Sequence, residues 1–155
     1  MKKHFAHRLA ALSAAAVMLL GTGLTAAADG LSTVGGTVFD FKDQAFFSVK
    51  MYSEEKVYLD LDTSYQKDVA RECPVEIDRF YNFQGENDTF YRSGWLLLEA
   101  EEGQLLYEVE EDGSLTKLDA EYVEDYATTR SGEKVSGLLL KTKSLGNYAV
   151  LEEEL

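Results

Sequence analysis

Short runs in which apolar residues occupy every second position are the feature that most constrains the fold of this chain. The run VYLDLD at 57–62 alternates residue by residue, and Phe47, Val49 and Met51 occupy alternate positions of the preceding run. A period of two is the repeat of a β-strand that buries one face. The chain is therefore predicted to be mainly β.

Turn signals divide the rest of the chain into further strands. Residues 75–83 share an apolar parity that only Arg79 interrupts, and residues 95–98 (WLLL) are apolar on both parities, which predicts a central strand covered on both faces. Trp95 is expected in the core. Gly- and Asp-containing turns separate later runs at 104–111, 114–120, 136–142 and 147–151.

The spacing of these runs predicts a single antiparallel β-sandwich-like domain over residues 29–155, with about eight or nine short strands. We expect at most one short helix, from Ser64 to Glu72. Pro74 prevents it from continuing further. Residues 121–130 fit either a turn of helix or an irregular connection.

The stretch EVEEDGSLTKLD at 108–119 has nearly the spacing of a helix–loop–helix calcium site. Its acids Glu108, Glu110 and Asp112 take the first, third and fifth places, Gly113 the sixth and Asp119 the twelfth. Such a loop needs a helix on each side. The preceding residues alternate instead, as in a strand.

A β-hairpin explains the same stretch better. Asp112-Gly113 is a favoured two-residue type I′ turn. This turn predicts that Tyr107 faces Leu118 on an apolar side and that Glu108 faces Lys117 on the other. Weak calcium binding by Glu108, Glu110, Asp112 and Asp119 is kept as the alternative, and no cofactor is expected.

The first 28 residues have the pattern of a cleaved secretory signal peptide. Basic residues at the start precede an apolar run from Leu9 to Leu20, and small residues end at Ala28. The apolar run is shorter than the roughly 20 residues that span a bilayer. We expect a secreted, extracellular protein with no membrane span after cleavage, beginning at Asp29.

Signal removal makes an acidic chain more acidic. The net charge of the whole chain is −13, and cleavage removes three of its 15 basic residues and none of its 28 acids, which leaves −16. A surface of this charge repels nucleic-acid phosphates and anionic lipids. We expect an extracellular protein or glycan as the partner.

Residue types limit the available chemistry. Both histidines, His4 and His7, lie in the predicted signal peptide, so the mature chain would have no histidine general base and no Ser-His-Asp triad. The single cysteine, Cys73, excludes intramolecular disulfides and thiolate zinc sites, and leaves a free thiol or a bridge between chains. We expect no enzyme activity and no catalytic residues.

Several motifs follow one another in the second half of the chain. They are Asn82-Phe83, Phe90-x-Arg92-x-Gly94, Tyr107 before Asp112-Gly113, Leu118-Asp119-Ala120-Glu121-Tyr122, and Thr142-x-x-Leu145-Gly146-x-Tyr148. In this order they resemble the C-terminal region of small secreted Firmicute proteins of uncharacterised function, mostly from gut clostridia. The connection between Tyr122 and Lys141 is longer here. The resemblance implies a non-catalytic extracellular β module and supplies no functional residues.

Three functions are compatible with these features. The first is a secreted, non-enzymatic interaction or structural module of a bacterial cell envelope or of the extracellular space. The second is a carbohydrate-binding module, which needs coplanar exposed aromatics, for which Tyr58 and Tyr91 are the candidates. The third is a carboxylate-based hydrolase, for which Asp60 and Asp62 are the candidate pair and which needs two acids facing each other across a cleft.

Overall fold

Two antiparallel β-sheets form the protein. The computed structural model describes residues 16–20, 30–33, 36–86 and 89–155, and the predicted mainly β, sandwich-like fold is confirmed in them. The basic start of the predicted signal peptide and its small-residue end lie outside the described residues, as does the expected cleavage point.

The first sheet contains six strands and the second contains five, numbered in chain order. The order across the first sheet is β1 (Ala16–Leu20), β2 (Thr37–Phe41), β3 (Ala45–Val49), β6 (Thr89–Glu99), β10 (Lys134–Ser144) and β9 (Glu121–Thr128). The order across the second is β4 (Tyr58–Asp62), β5 (Ile77–Glu86), β11 (Asn147–Leu151), β7 (Leu105–Val109) and β8 (Leu115–Lys117).

The described residues after position 29 contain ten strands, compared with the eight or nine expected. One additional strand is β2, which was not among the predicted strands. The other is β9, which lies where the sequence left a helical turn or an irregular connection open. β1 lies inside the predicted signal peptide and pairs with β2.

Two short helical segments accompany the sheets. The expected helix is α2 (Lys67–Glu72), which starts three residues later than predicted and ends at Glu72 as predicted, with Cys73 as its C-cap before Pro74. The segment α1 (Gly30–Thr33) is a single turn that was not predicted and that packs on β9. No helix in the described segments has the length and apolar character needed to cross a lipid bilayer.

The main hydrophobic core lies between the two sheets. β6 is covered on both faces, as predicted, because Leu96 and Leu98 enter this core while Leu97 joins a second cluster on the outer face of the first sheet. Trp95 is only partly buried, on that outer face, where the Lys141 ammonium lies 5.8 Å from its ring centroid. The prediction that Trp95 belongs to the core is therefore only partly met.

A β-bulge divides the apolar parity of β5 between two faces. Val150 pairs with Arg79 but Leu151 pairs with Ile77, so Asp78 is an extra residue on β5. Ile77 therefore contacts a cluster on the outer face of the second sheet, whereas Tyr81 enters the core between the sheets. The sequence pattern had placed Ile77 and Tyr81 on one face.

The bulge also carries Arg79 into a polar link between the sheets. The Tyr81 hydroxyl of β5 donates to the Glu99 carbonyl of β6 at 2.6 Å. The Arg79 guanidinium contacts the Glu99 carboxylate at 3.4 Å and that of Asp78 at 3.2 Å. Burial raises the pKa of the Tyr81 phenol, and the adjacent guanidinium only partly offsets this effect.

The hairpin at 105–117 is present, but its predicted register is wrong by one residue. Tyr107 pairs with Lys117 and Glu108 with Thr116. The Glu110 amide donates to the Ser114 carbonyl, and Gly113 has a φ of +85° while Asp112 is not in the left-handed region. These features define a three-residue loop that ends in a glycine bulge, in place of the expected type I′ turn.

The shifted register changes the partners of the hairpin side chains. Tyr107 lies in the outer cluster of the second sheet, whereas Leu118 packs against the core between the sheets. Lys117 pairs with Glu154 at 2.6 Å, and not with Glu108 as predicted.

Removal of the Tyr81 hydroxyl tests the link between the sheets. Tyr81→Phe leaves the buried Glu99 carbonyl without this donor, and we expect it to lower the free energy of unfolding by about 1–3 kcal/mol in urea denaturation. Tyr58→Phe is the matched control at an exposed tyrosine, with an expected change within about 0.5 kcal/mol. Equal stabilities of Tyr81→Phe and Tyr58→Phe would contradict the assignment.

Candidate functional site

The four candidate calcium ligands lie along the hairpin and the connection that follows it. Glu108 is half-buried in β7, Glu110 and Asp112 are exposed in the loop, and Asp119 is exposed beyond β8. The described residues contain no group of three or more His, Cys, Asp or Glu side chains that could hold a metal ion. The helix–loop–helix spacing is therefore met in sequence but is not assembled in space.

Asp112 has a local role in the loop. Its Oδ1 accepts hydrogen bonds from the Ser114 hydroxyl at 2.6 Å and from the Ser114 amide at 2.9 Å. These bonds hold the pKa of the Asp112 carboxyl below its ordinary value. The carboxylate thus closes the turn, which accounts for an acid at this position.

Asp60 and Asp62 lie on β4, and each carboxylate accepts a backbone amide hydrogen. Asp62 Oδ1 accepts the Ser64 amide hydrogen at 2.9 Å, and bonds from Ser64 lower the pKa of Asp62. Asp60 Oδ1 accepts the Leu61 amide hydrogen at 2.8 Å. A general acid needs a raised pKa, so the environment of Asp62 acts in the opposite direction.

Two clefts of about 460 Å³ each border α2 on the outer face of the second sheet. One lies between α2 and the hairpin loop, and half-buried Cys73 lines it. The other contains the Gln66 and Asn147 side chains, whose amides bond to each other at 2.8 and 3.2 Å. Because each amide satisfies the other, this pair stabilises the loop around the cleft.

Exposed tyrosines provide the clearest binding features. Tyr58 and Tyr91, which the strand parity predicted to be exposed, have 62% and 59% of their surfaces accessible. Tyr52 is also exposed, and its ring centroid lies 5.5 Å from that of Tyr91 at an interplanar angle of 55°. The sequence did not indicate that Tyr52 and Tyr91 would meet.

An arginine completes this pair. The Arg92 guanidinium carbon lies 4.4 Å from the centroid of the Tyr52 ring, which is a cation–π contact. We call Tyr52, Glu55, Tyr91 and Arg92 the Tyr52–Tyr91 surface.

Glu55 joins the two chain segments of the Tyr52–Tyr91 surface. Its Oε2 accepts the Tyr52 amide hydrogen at 2.7 Å, and its Oε1 accepts the Tyr91 amide hydrogen at 2.9 Å. The Glu55 amide in turn donates to the Tyr52 carbonyl at 3.0 Å and closes a turn. One carboxylate therefore positions both tyrosines.

The strand ends explain why Tyr91 is available to Glu55. β3 pairs with β6 only as far as Trp95, and the pairing of β6 with β10 is irregular between Thr89 and Gly94. A β-carbon at Gly94 would lie 2.4 Å from the Ser48 carbonyl, so glycine permits this close approach of β3. Beyond Gly94 the 50–57 loop replaces β3 beside β6.

Comparison with family models, curated proteins and solved structures finds no match to this chain.

Asp40 is a buried acid away from the Tyr52–Tyr91 surface. It is 2% exposed, its Oδ1 accepts the Asp43 amide hydrogen at 2.9 Å, and its Oδ2 is buried with no hydrogen-bond partner in the part of the chain that the structure describes. Burial, followed by the Asp43 side chain, raises the pKa of Asp40 to about 7. Neither cleft beside α2 includes Asp40, so this acid is not placed to act on a ligand there.

The raised pKa of Asp40 predicts a pH-dependent stability. Between its ordinary value of 3.8 and about 7, the folded state keeps a proton that the unfolded state loses, so stability falls as pH rises through this window. We expect Asp40→Asn, which resembles the protonated acid, to be about 2–4 kcal/mol more stable than wild type at pH 8 and similar at pH 4.

Urea denaturation across this pH range measures the effect. Asp60→Asn removes an exposed acid, and its free energy of unfolding should change with pH as that of the wild type does. If the free energies of unfolding of Asp40→Asn and wild type change with pH in the same way, the raised pKa of Asp40 is contradicted.

Proposed function

We propose that this chain is an exported, non-catalytic binding module that contacts a protein partner through the Tyr52–Tyr91 surface. The observation that carries the proposal is the position of two exposed tyrosines and one arginine around Glu55, whose carboxylate is engaged by backbone amides. The pattern at residues 1–28 supports export.

The composition of the surface supports a binding role. Tyr and Arg are enriched among the residues that contribute most to protein–protein affinity. A tyrosine offers a large contact area with few rotatable bonds, and its hydroxyl supplies a polar group.

The geometry lowers the entropic cost of binding. Glu55 holds the backbone of Tyr52 and Tyr91 in place, and the Tyr52 ring holds the Arg92 guanidinium. A surface that is ordered before its partner arrives loses less side-chain freedom on association.

A protein partner is favoured over a glycan. A linear sugar chain stacks best on aromatic faces that share a plane, but the rings of Tyr52 and Tyr91 are tilted by 55°. Tilted aromatic rings beside an arginine suit side chains that insert from different directions. Binding of a carbohydrate is therefore the less favoured alternative, and the experiment below distinguishes it from binding of a protein.

Binding is also favoured over hydrolysis. Within the acid pair suggested by sequence, Asp60 and Asp62, the pKa of Asp62 is lowered. The acid whose pKa is raised is Asp40, which is buried. The Glu55 oxygens are occupied by two amides. These environments stabilise the fold or the surface and do not provide a general acid beside a cleft.

Selection from a phage-displayed peptide library tests the proposed function. The bait is the exported protein, whose first residue is expected to be Asp29 by N-terminal sequencing. Peptides that bind the wild type should lose at least about tenfold in affinity for Tyr91→Ala, because a central aromatic contact is removed. The matched control is Tyr65→Ala, since Tyr65 is equally exposed but packs on Phe80.

Three outcomes would contradict the proposal. Selected peptides that bind Tyr91→Ala as well as wild type would place the binding surface elsewhere. A library that yields no binders would oppose a protein-binding role. Saturable, Tyr91-dependent binding to a glycan array would replace the protein partner by a carbohydrate.

A further inference from the structure

The Tyr52–Tyr91 surface contains a guanidinium that has no acidic partner among the described residues. In this part of the chain the Arg92 side chain contacts the Tyr52 ring and makes no hydrogen bond or ion pair. The chain has 28 acids and 15 basic residues, so carboxylates are abundant.

Two other described arginines pair with acids, whereas Arg130, like Arg92, forms no ion pair in the described part of the chain. Arg71 contacts Asp68 at 3.1 Å and Glu72 at 3.7 Å, and Arg79 contacts Asp78 and Glu99. Glu55 is the carboxylate of this surface, and its two oxygens accept the amide hydrogens of Tyr52 and Tyr91. Among the described residues, no ion pair joins Glu55 to Arg92.

Stacking on an aromatic ring leaves the in-plane N–H groups of a guanidinium available. These groups form a planar fork that matches the two oxygens of a carboxylate. The Arg92 guanidinium carbon lies over the Tyr52 ring, and this cation–π contact favours one position of the side chain before a ligand arrives. Arg92 is exposed, so a ligand carboxylate can reach it from solvent.

We infer that Arg92 binds a carboxylate of the partner, an Asp or Glu side chain that lies next to an aromatic or aliphatic residue seated against Tyr52 and Tyr91. This inference rests on the proposed function. Charge complementarity identifies the ligand group, and the tilt of the two tyrosine rings favours a peptide over a sugar acid as its source.

Small peptide probes test this inference directly. The ¹⁵N-labelled exported protein is titrated by NMR with N-acetyl-Glu-Trp-amide and, separately, with N-acetyl-Gln-Trp-amide. We expect millimolar binding of the Glu probe, with shifts at the Arg92 Nε–H and the Tyr91 amide. The Gln probe should bind about tenfold more weakly, because it lacks the charge.

Variants and a third probe identify the source of the discrimination. Arg92→Gln should bind both peptides equally, and Arg92→Lys should keep part of the preference because it retains the charge without the fork. Arg71→Gln, at an arginine already paired with Asp68, is the control and should bind as wild type does. Glucuronic acid, which carries a carboxylate on a sugar, should bind more weakly than the Glu probe.

The failures of the two proposals can be distinguished. Equal binding of the Glu and Gln probes with shifts at Tyr91 overturns the carboxylate role of Arg92 and leaves the binding surface in place. A preference that survives in Arg92→Gln has the same consequence. Tighter binding of glucuronic acid overturns the peptide source. Absence of shifts at Arg92 and Tyr91 overturns the inference, and Tyr91-independent library peptides would then overturn the proposed function as well.

Discussion

The hydrogen bond from the Tyr81 hydroxyl to the Glu99 carbonyl is a buried, directional contact between the two sheets. It joins β5 of one sheet to β6 of the other inside the core, and the Arg79–Glu99 ion pair lies beside it. Hydrophobic burial supplies most of the folding free energy but has no direction. A buried ion pair contributes little net stability. We attribute to this polar link part of the alignment of β5 with β6, while pairing with β3 and β10 positions β6 within its own sheet.

Much of the fold could be predicted from sequence because strand periodicity reports burial. The alternation at 57–62 and the doubly apolar run at 95–98 correspond to an edge strand and a central strand. The errors arise where one residue changes the count. An extra residue at Asp78 moves Ile77 to the outer face, and a three-residue loop shifts the hairpin by one position. The bulge and the loop length both depend on local backbone geometry. Neither the residues around Asp78 nor the Asp112-Gly113 pair specify that geometry in the sequence.

The binding surface was only half visible in the sequence. Strand parity predicted that Tyr58 and Tyr91 would be exposed, and a resemblance motif contained Arg92. Tyr52 and Glu55 lie in a loop without periodicity, and Glu55 reaches Tyr91 across 36 positions of the chain. A contact between residues so far apart in sequence follows from the pairing of β3 with β6, and this pairing depends on the whole sheet. The calcium-like spacing was the converse case, in which the sequence pattern had a local explanation in turn closure by Asp112.

Glu55 organises Tyr52 and Tyr91 into one surface before any partner binds. Nuclear Overhauser spectra of the free protein measure this directly, because ring centroids 5.5 Å apart bring ring protons into range. We predict cross-peaks between the two rings in wild type and their loss in Glu55→Ala. The cross-peaks should persist in Glu54→Ala, because the Glu54 carboxylate of the wild type contacts the Ser53 hydroxyl. Absence of these cross-peaks in wild type, or their persistence in Glu55→Ala, would contradict the account.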